Sequence, residues 1–272
     1  MPGALVLVLP FVLLGNGALQ NLVWVPRFAW WCLHHFESTT TAFACLAMFL
    51  IGCPASLADF VTGGDYLVNA IYVVIAMDAV LRAQRSDKPW HRYAASALLS
   101  VAISSRPIYS VAAIMLAGSI VHTSGLRRMT EFLVVLVLVS VALNGPFFLY
   151  DPSRFPTSQL LEKVSVFPHF MHATVVLPAL GTAIACSSFF VPMTGDRMCG
   201  LMAAALGAML YPVFLFELAT RLFDSATLAT AAYSLPVTIF GGIWISRKLC
   251  QDLTQEPEAS RSEEAGSQQI IP

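Results

Sequence analysis

Charged side chains stand beside glycine or proline at points where apolar stretches begin or end. Asp65 follows Gly63-Gly64 at the start of one apolar segment, and Arg106 directly precedes Pro107 between two others. A carboxylate in this position can act as a general base or contact a polar substrate, and the glycines would allow close approach. An arginine can hold a phosphate with its planar fork. Both residues also have structural interpretations, since Asp65 can stabilise the first turn of a helix and Arg106 can extend to water or lipid headgroups.

A third motif runs from Asp151-Pro152 to Arg154. Asp151 and Arg154 are candidate substrate-binding residues, although Asp before Pro commonly opens a turn. Farther along, His169 and His172 have the i, i+3 spacing that places two side chains on one helix face. A metal site needs at least one more ligand, and the neighbouring sequence supplies none. No metal and no cofactor are therefore predicted.

Asp78 is the one acid well inside a predicted membrane span, and ionisable groups at such a depth are candidate functional sites. Arg82 follows four residues later, which is the spacing of a helical ion pair. Two interpretations stay open: an ion pair near the membrane surface, and a proton or ion site in a transporter.

The composition indicates a chain that has lipid as much of its solvent. Of the 272 residues, 57% are hydrophobic and 11% are charged, whereas soluble domains carry about 25% charged residues. The net charge of −1 gives no indication of a nucleic-acid partner. We therefore predict an all-α polytopic transmembrane bundle with membrane lipids as its partners.

Nine apolar segments are candidates for membrane-spanning helices, because backbone groups in lipid must be paired within their own segment. They cover residues 4–24, 40–58, 66–82, 93–105, 108–122, 130–149, 169–191, 200–216 and 227–246. The Arg106-Pro107 step divides the fourth from the fifth, since proline and the residue before it disfavour a continuous helix. This predicts a short helical hairpin over 93–122, and a single kinked helix is the alternative.

The distribution of lysine and arginine predicts which side of the membrane each connection faces. With the C-terminus inside, eleven basic residues lie inside: Arg27, Arg82, Arg85, Lys88, Arg92, Arg127, Arg128, Arg197, Arg247, Lys248 and Arg261. Four lie outside, namely Arg106, Arg154, Lys163 and Arg221. The N-terminus is then outside, and Asp65, Arg106 and Asp151 gather on the outer face.

The two ends of the chain differ in composition. The first segment lacks a positively charged start and contains Pro10, which favours a span over a cleaved signal peptide. Residues 249–272 are rich in Glu, Ser, Gln and Pro, and such a composition buries too little apolar surface to fold. We expect a transmembrane domain over 1–248 and a disordered polar cytoplasmic tail over 249–272.

Three motifs in this order resemble bacterial polytopic proteins of the GT-C glycosyltransferase type. They are Asp59-Phe60-Val61-Thr62-Gly63-Gly64-Asp65-Tyr66, then Ile103-Ser104-Ser105-Arg106-Pro107, then Asn144-Gly145-Pro146-Phe147-Phe148-Leu149-Tyr150-Asp151-Pro152. Members of that class are similar in having G-[GN]-D where a helix starts, a small-residue helix ending in Arg/Lys-Pro, and a span closing on P-F-x-[LW]-[YW]-D-P. The resemblance covers roughly residues 40 to 190.

The resemblance implies a transferase that takes a sugar from a polyprenyl-phosphate donor at the outer face of the bacterial inner membrane. Asp65 would be the catalytic acid–base group, Arg106 would contact the phosphate, and Asp151 and Arg154 would line the cavity. Such enzymes carry their acidic catalytic motif in a first outward loop. The segment after the first span here, residues 26–37, is predicted inside and holds one acid, Glu37. The chain thus resembles the C-terminal portion of such a protein, either active or an inactive relic.

Two other classes of function stay open. A small-molecule or ion transporter would use Asp78 and the interrupted helices. A non-catalytic membrane assembly subunit would need no site, and neither oligomeric state nor substrate follows from the residues.

Overall fold

The computed structural model describes residues 2–36, 38–152, 171–193, 195–221 and 234–267. Every regular element in these ranges is helical, so the all-α prediction is confirmed for them. The α-helices are α1 (Pro2–Leu13), α2 (Leu19–His35), α3 (Thr39–Leu50), α4 (Pro54–Thr62), α5 (Tyr66–Gln84), α6 (Pro89–Ser105), α7 (Ser110–Ser124), α8 (Leu126–Tyr150), α9 (Met171–Cys186), α10 (Gly195–Arg221) and α11 (Ser234–Ser267). Short 3-10 helices cover Pro107–Tyr109 and Ser187–Phe189.

The predicted number of about nine spans is not confirmed. Four helical stretches in the described ranges are long and apolar enough to cross a membrane: Tyr66–Gln84, Pro107–Ser124, Leu126–Tyr150 and Arg197–Leu215. A fifth would be the pair α3 and α4, which bends by 73° at its break. Three other predicted segments fall short because α6 and α9 have only 17 and 16 residues, and because 4–24 is interrupted. The ninth, 227–246, lies partly outside the described residues.

The N-terminal region differs most from the sequence prediction. The segment 4–24 is not one helix, since α1 ends at Leu13 and α2 begins at Leu19, with Gly15 at a φ of 97° between them. The predicted inner loop over 26–37 is wrong as well, because residues up to His35 belong to α2. Arg27 is therefore an exposed residue within α2, 4.4 Å from the ring of Trp30, and not part of an inner loop.

Helix α5 runs between two ends of the bundle, and we name each end after a residue at or in α5. Asp65 lies directly before α5 and marks the Asp65 end; Asp78, in its second half, marks the Asp78 end. Helix α2 runs between the same ends, since Asn21 near its start binds the carbonyl of Gly64 and Trp31 near its finish binds Asp78.

The next three helices alternate in direction between these ends. Helix α6 finishes at the Asp65 end, where Arg106 meets Asp65. Helix α7 leads back, because its last residue, Ser124, lines the same cavity as Asp78. Helix α8 returns, and Asn144 in its last third binds Ser104. The chain thus reverses at the Arg106-Pro107 step, as that step predicts, and α6 and α7 are separate antiparallel helices.

Helix α5 lies in the core and is mostly buried, whereas α8 is mostly exposed. In the most apolar 18-residue stretch of α5, 67% of the residues are buried. In the corresponding stretch of α8, only 6% are buried. Large side chains of α8 such as Val137, Leu138 and Val141 are more than half exposed. A helix that is both this apolar and this exposed is compatible with a membrane protein, because exposing these side chains to water would be unfavourable.

Helix α11 continues as far as Ser267. Residues 249–267 of the predicted polar tail are therefore helical in the structure. The division of the chain into a transmembrane domain and a polar tail stays a prediction.

Candidate functional site

The structure brings together Asp65 and Arg106, which lie 41 residues apart in the sequence. Arg106 donates from Nη2 to Oδ1 of Asp65 at 2.6 Å. Asp65 also accepts a bond at its other oxygen, Oδ2, from the side-chain amide of Asn69 at 3.1 Å. Asp65 is 46% exposed and Arg106 is 24% exposed, so a molecule at this end of the bundle can reach both groups.

The turn between α4 and α5 places Asp65. Gly63 ends α4 in the left-handed region, at a φ of 73°, where a side chain would be strained. A Cβ on Gly63 would also lie 2.5 Å from that of Ala18. A Cβ on Gly64 would overlap the carboxylate of Asp59. Because the two glycines have no side chains, Ala18 and Asp59 can lie close to this turn. This is a structural reason for the Gly-Gly sequence.

Asp59, and not Asp65, provides the carboxylate that binds the first turn of α5. Its Oδ2 accepts a bond from the backbone N–H of Leu67 at 2.9 Å, while the side chain of Asp65 makes no such bond. Asp65 therefore occupies the N-cap position of α5 without making a side-chain capping bond, because the turn at Gly63 brings Asp59 over the N–H groups; a favourable interaction of the Asp65 charge with the helix start stays a prediction. Asp65 is left to interact with Arg106 and Asn69.

Asn21 of α2 holds the same turn from the other side. Its amide Nδ2 lies within 3.4 Å of three backbone oxygens, those of Asp59, Phe60 and Gly64. Asn21 is 1% exposed, and buried polar side chains are usually hydrogen-bonded in this way. Its position inside an apolar stretch is a sequence feature that could have marked it as a buried structural residue.

Arg106 is held by the break between α6 and α7. Its backbone is extended, at a φ of −153°, and its N–H binds the carbonyl of Ile103. The centre of the guanidinium lies 3.6 Å from the centroid of the Tyr66 ring, a cation–π arrangement. The Nε atom is buried without a hydrogen-bond partner among the described residues, as is the hydroxyl of the fully buried Tyr109.

This arrangement fits the binding of an anion better than a free carboxylate base. The guanidinium has five N–H donors, and Asp65 uses one of them. Asp65 is not a free carboxylate, because Arg106 and Asn69 each donate to one of its oxygens, but its remaining lone pairs can still accept a proton from a substrate.

Of the other two predicted site residues, the structure describes Asp151. Asp151 directly follows α8 at the Asp65 end and donates its backbone N–H to the carbonyl of Phe147. Arg154 and His169 lie outside the described residues. In the part of the chain that the structure describes, no three His, Cys, Asp or Glu side chains form a group that could hold a metal ion.

Asp78 at the opposite end is surrounded by donors. Arg82 donates from Nε to Oδ2 of Asp78 at 2.9 Å, and the indole Nε1 of Trp31 donates to the same oxygen at 2.9 Å. The Nδ1 of His35 lies 3.6 Å from Oδ1. The predicted Asp78–Arg82 ion pair is therefore present, and α2 supplies one further donor, Trp31, that sequence spacing could not indicate. His35 instead accepts at Nδ1 from Nη2 of Arg82 at 3.1 Å.

Comparison of the chain with protein-family models, with curated proteins and with solved structures finds no match.

Proposed function

We propose that this chain is an integral membrane protein with a GT-C-like site that acts on a lipid-linked sugar, or that descends from proteins with that activity. The observation that carries the proposal is the 2.6 Å contact between Asp65 and Arg106. These residues come from two of the three motifs on which the resemblance rests, and both are partly exposed at one end of the bundle.

The chemistry assigns a different task to each residue. An acceptor hydroxyl attacks the anomeric carbon of a polyprenyl-phosphate sugar, forming a new C–O bond as the bond to the phosphate oxygen breaks. Asp65 takes the hydroxyl proton on a lone pair that neither Asn69 nor Arg106 occupies. Arg106 binds the departing polyprenyl phosphate, which leaves with the bonding electron pair. Asp151 and Arg154 are the proposed additional substrate contacts.

Arginines at the Asp78 end support a proposed orientation in the membrane. Four arginines line one cavity there: Arg82, Arg85, Arg128 and Arg247. Since the cytoplasmic side of membrane proteins is richer in Lys and Arg, we place the Asp78 end and the C-terminus in the cytoplasm and the Asp65 end outside. The proposed location is the bacterial inner membrane, where a polyprenyl-linked donor reaches the site through the lipid.

Sugar transfer by the purified full chain in lipid nanodiscs tests the proposal. The probe is a polyprenyl-phosphate-linked hexose, and release of polyprenyl phosphate is measured with a panel of sugar acceptors. Asp65→Asn should lower the rate by at least about tenfold, since general-base catalysis contributes about 10²–10⁴-fold. Arg106→Gln should weaken binding of polyprenyl phosphate itself, whereas Asp65→Asn should not.

Asp87→Asn is the matched control, because it removes the same charge from an exposed position in the connection between α5 and α6, away from Asp65. Unchanged transfer in Asp65→Asn would refute its catalytic role. Absence of both transfer and polyprenyl-phosphate binding in the unmodified chain would favour a non-catalytic assembly subunit.

A transporter function has less support from the geometry. Asp78 already has Arg82 and Trp31 on one oxygen and His35 near the other, as expected of a structural ion pair. Counter-flow uptake in proteoliposomes that Asp78→Asn abolishes would reverse this preference.

A further inference from the structure

A large polar cavity lies at the Asp78 end, remote from the Asp65–Arg106 pair. Its volume is about 760 Å³, which is within the range of pockets that hold small ligands. Four arginines line it: Arg82, Arg85, Arg128 and Arg247. They belong to or directly follow three different helices, α5, α8 and α11, so the fold concentrates residues that are far apart in the sequence.

The charge of this cavity is strongly unbalanced. Asp78 is the one acidic residue among its described lining residues, against four arginines. Burial lowers the pKa of His35, the last residue of α2; the carboxylate of Asp78 opposes this effect, and the charges of Arg247 and Arg82 add to it. His35 lies outside the helices that are long and apolar enough to cross a membrane, because α2 is not one of them. Burial thus favours the neutral form of His35, so the charged groups among the described lining residues are the four arginines and Asp78.

Three of the guanidinium groups are held in place by the surrounding protein. Arg82 binds Asp78, and Arg128 donates from Nη1 to the backbone oxygen of Gln84, at the end of α5, at 2.8 Å. The guanidinium of Arg247 lies 5.1 Å from the centroid of the Phe36 ring. Groups positioned before a ligand arrives lose less conformational entropy on binding.

These arginines also have a simpler explanation, since basic residues are common at the cytoplasmic ends of membrane helices. Two observations go beyond it. The four side chains line one concave space instead of spreading around the rim of the bundle. The side chain of Arg85 makes no hydrogen bond or ion pair with the described residues, so its charge is not neutralised by any of them.

We propose that this cavity binds a phosphate group at the face opposite to the Asp65–Arg106 pair. The ligand class is a phosphate or diphosphate, for which guanidinium groups have matching geometry and charge. The phosphate belongs either to a soluble molecule or to the headgroup of an anionic lipid. This site stands on different residues from the proposed transferase site and does not depend on it.

The experiment has two arms that separate these sources, both on the full chain. In the first, calorimetry measures binding of inorganic pyrophosphate to the protein in phosphatidylcholine nanodiscs. In the second, electron spin resonance compares retention of spin-labelled phosphatidylglycerol with that of spin-labelled phosphatidylcholine. A soluble ligand predicts pyrophosphate binding, and a lipid ligand predicts a preference for phosphatidylglycerol.

Arg85→Gln is the main variant because its side chain has no described partner whose loss would disturb folding. We expect it to weaken binding at least about tenfold for whichever probe binds, since it removes a charge-assisted hydrogen bond to the phosphate. Arg128→Gln should have a similar effect, and if it fails to fold, Arg85→Gln decides alone.

Arg127→Gln is the matched control. Arg127 is next to Arg128 and carries the same charge, but it is 93% exposed, pairs with Glu131 at 3.3 Å, and does not line the cavity. Binding should be unchanged in this variant. The proposal is overturned if neither probe binds, or if Arg127→Gln weakens binding as much as Arg85→Gln does.

Discussion

Asp59 binds the backbone N–H of Leu67 at 2.9 Å, so a side chain of α4 closes the first turn of the next long helix, α5. Only 9% of Asp59 is exposed. The bond therefore lies where water cannot replace it, and leaving such a buried donor unpaired costs about 1–3 kcal/mol. This links the stability of the turn at Gly63-Gly64 to a residue that is not itself in the turn.

Asp59→Ala should therefore destabilise the protein by about 1–2 kcal/mol, the usual cost of removing a helix N-cap. Asp59→Asn should retain most of the stability, because its amide oxygen can still accept from Leu67. Thermal unfolding in detergent micelles measures both. Asp87→Ala is the control, as Asp87 is exposed and should shift stability by no more than about 0.5 kcal/mol. Equal stability of Asp59→Ala and the unmodified protein would contradict this role.

Gly64→Ala should act through Asp59. The added Cβ would overlap the Asp59 carboxylate, so that carboxylate must move and its bond to Leu67 is lost. We expect the two changes Gly64→Ala and Asp59→Ala to be strongly non-additive, with the double variant little worse than the poorer single one.

Gly242→Ala is the matched control for this cycle, since nothing lies within 4 Å of its added Cβ and it occupies a helix interior, in α11. There alanine should be neutral or stabilising by up to about 1 kcal/mol. Fully additive losses for Gly64→Ala and Asp59→Ala would show that the glycine is required for another reason.

The long apolar helices could be predicted closely from the sequence. The segments 66–82 and 130–149 correspond to α5 (66–84) and α8 (126–150), because each is a long, mainly apolar run with charged residues near its limits. The segment 4–24 fails for the opposite reason. Its apolar character continues through Gly15, where the backbone leaves the helix, so hydropathy alone does not reveal the break.

The members of the candidate site and some of its contacts have indications in the sequence, whereas the role of Asp59 has none. Asp65 and Arg106 were both candidates, and the short connection 85–88 between two helices of similar length is a sequence indication that they meet. The Asn69 partner also follows from i, i+4 spacing. The role of Asp59 does not, because it depends on the left-handed turn at Gly63.

The Asp78 cluster gives a prediction for the opposite end of the bundle. Trp31→Phe removes the 2.9 Å bond from Nε1 to Asp78 while keeping an aromatic ring that can pack against Phe28. A hydrogen bond to a charged group contributes about 1.5–3 kcal/mol, so we expect a loss of that order in the free energy of unfolding. Trp30→Phe is the control, because the neighbouring Trp30 is 48% exposed. Equal losses in both variants would show that the bond to Asp78 contributes nothing specific.

The exposed apolar face of α8 gives the prediction that tests the membrane placement. Leu138 is 64% exposed near the middle of the helix, and Leu126 is similarly exposed, at 65%, as its first residue. In a bilayer, a lysine at the helix centre costs about 2.5–3.5 kcal/mol, and much less near the interface. Leu138→Lys should therefore impair membrane integration, and Leu126→Lys should leave it nearly unchanged. Glycosylation-site mapping of the inserted chain measures the integrated fraction directly. If water covered this face instead, both substitutions would be surface changes within about 0.5 kcal/mol of neutral, so equal behaviour of the two variants would remove the main structural support for placing α8 in lipid.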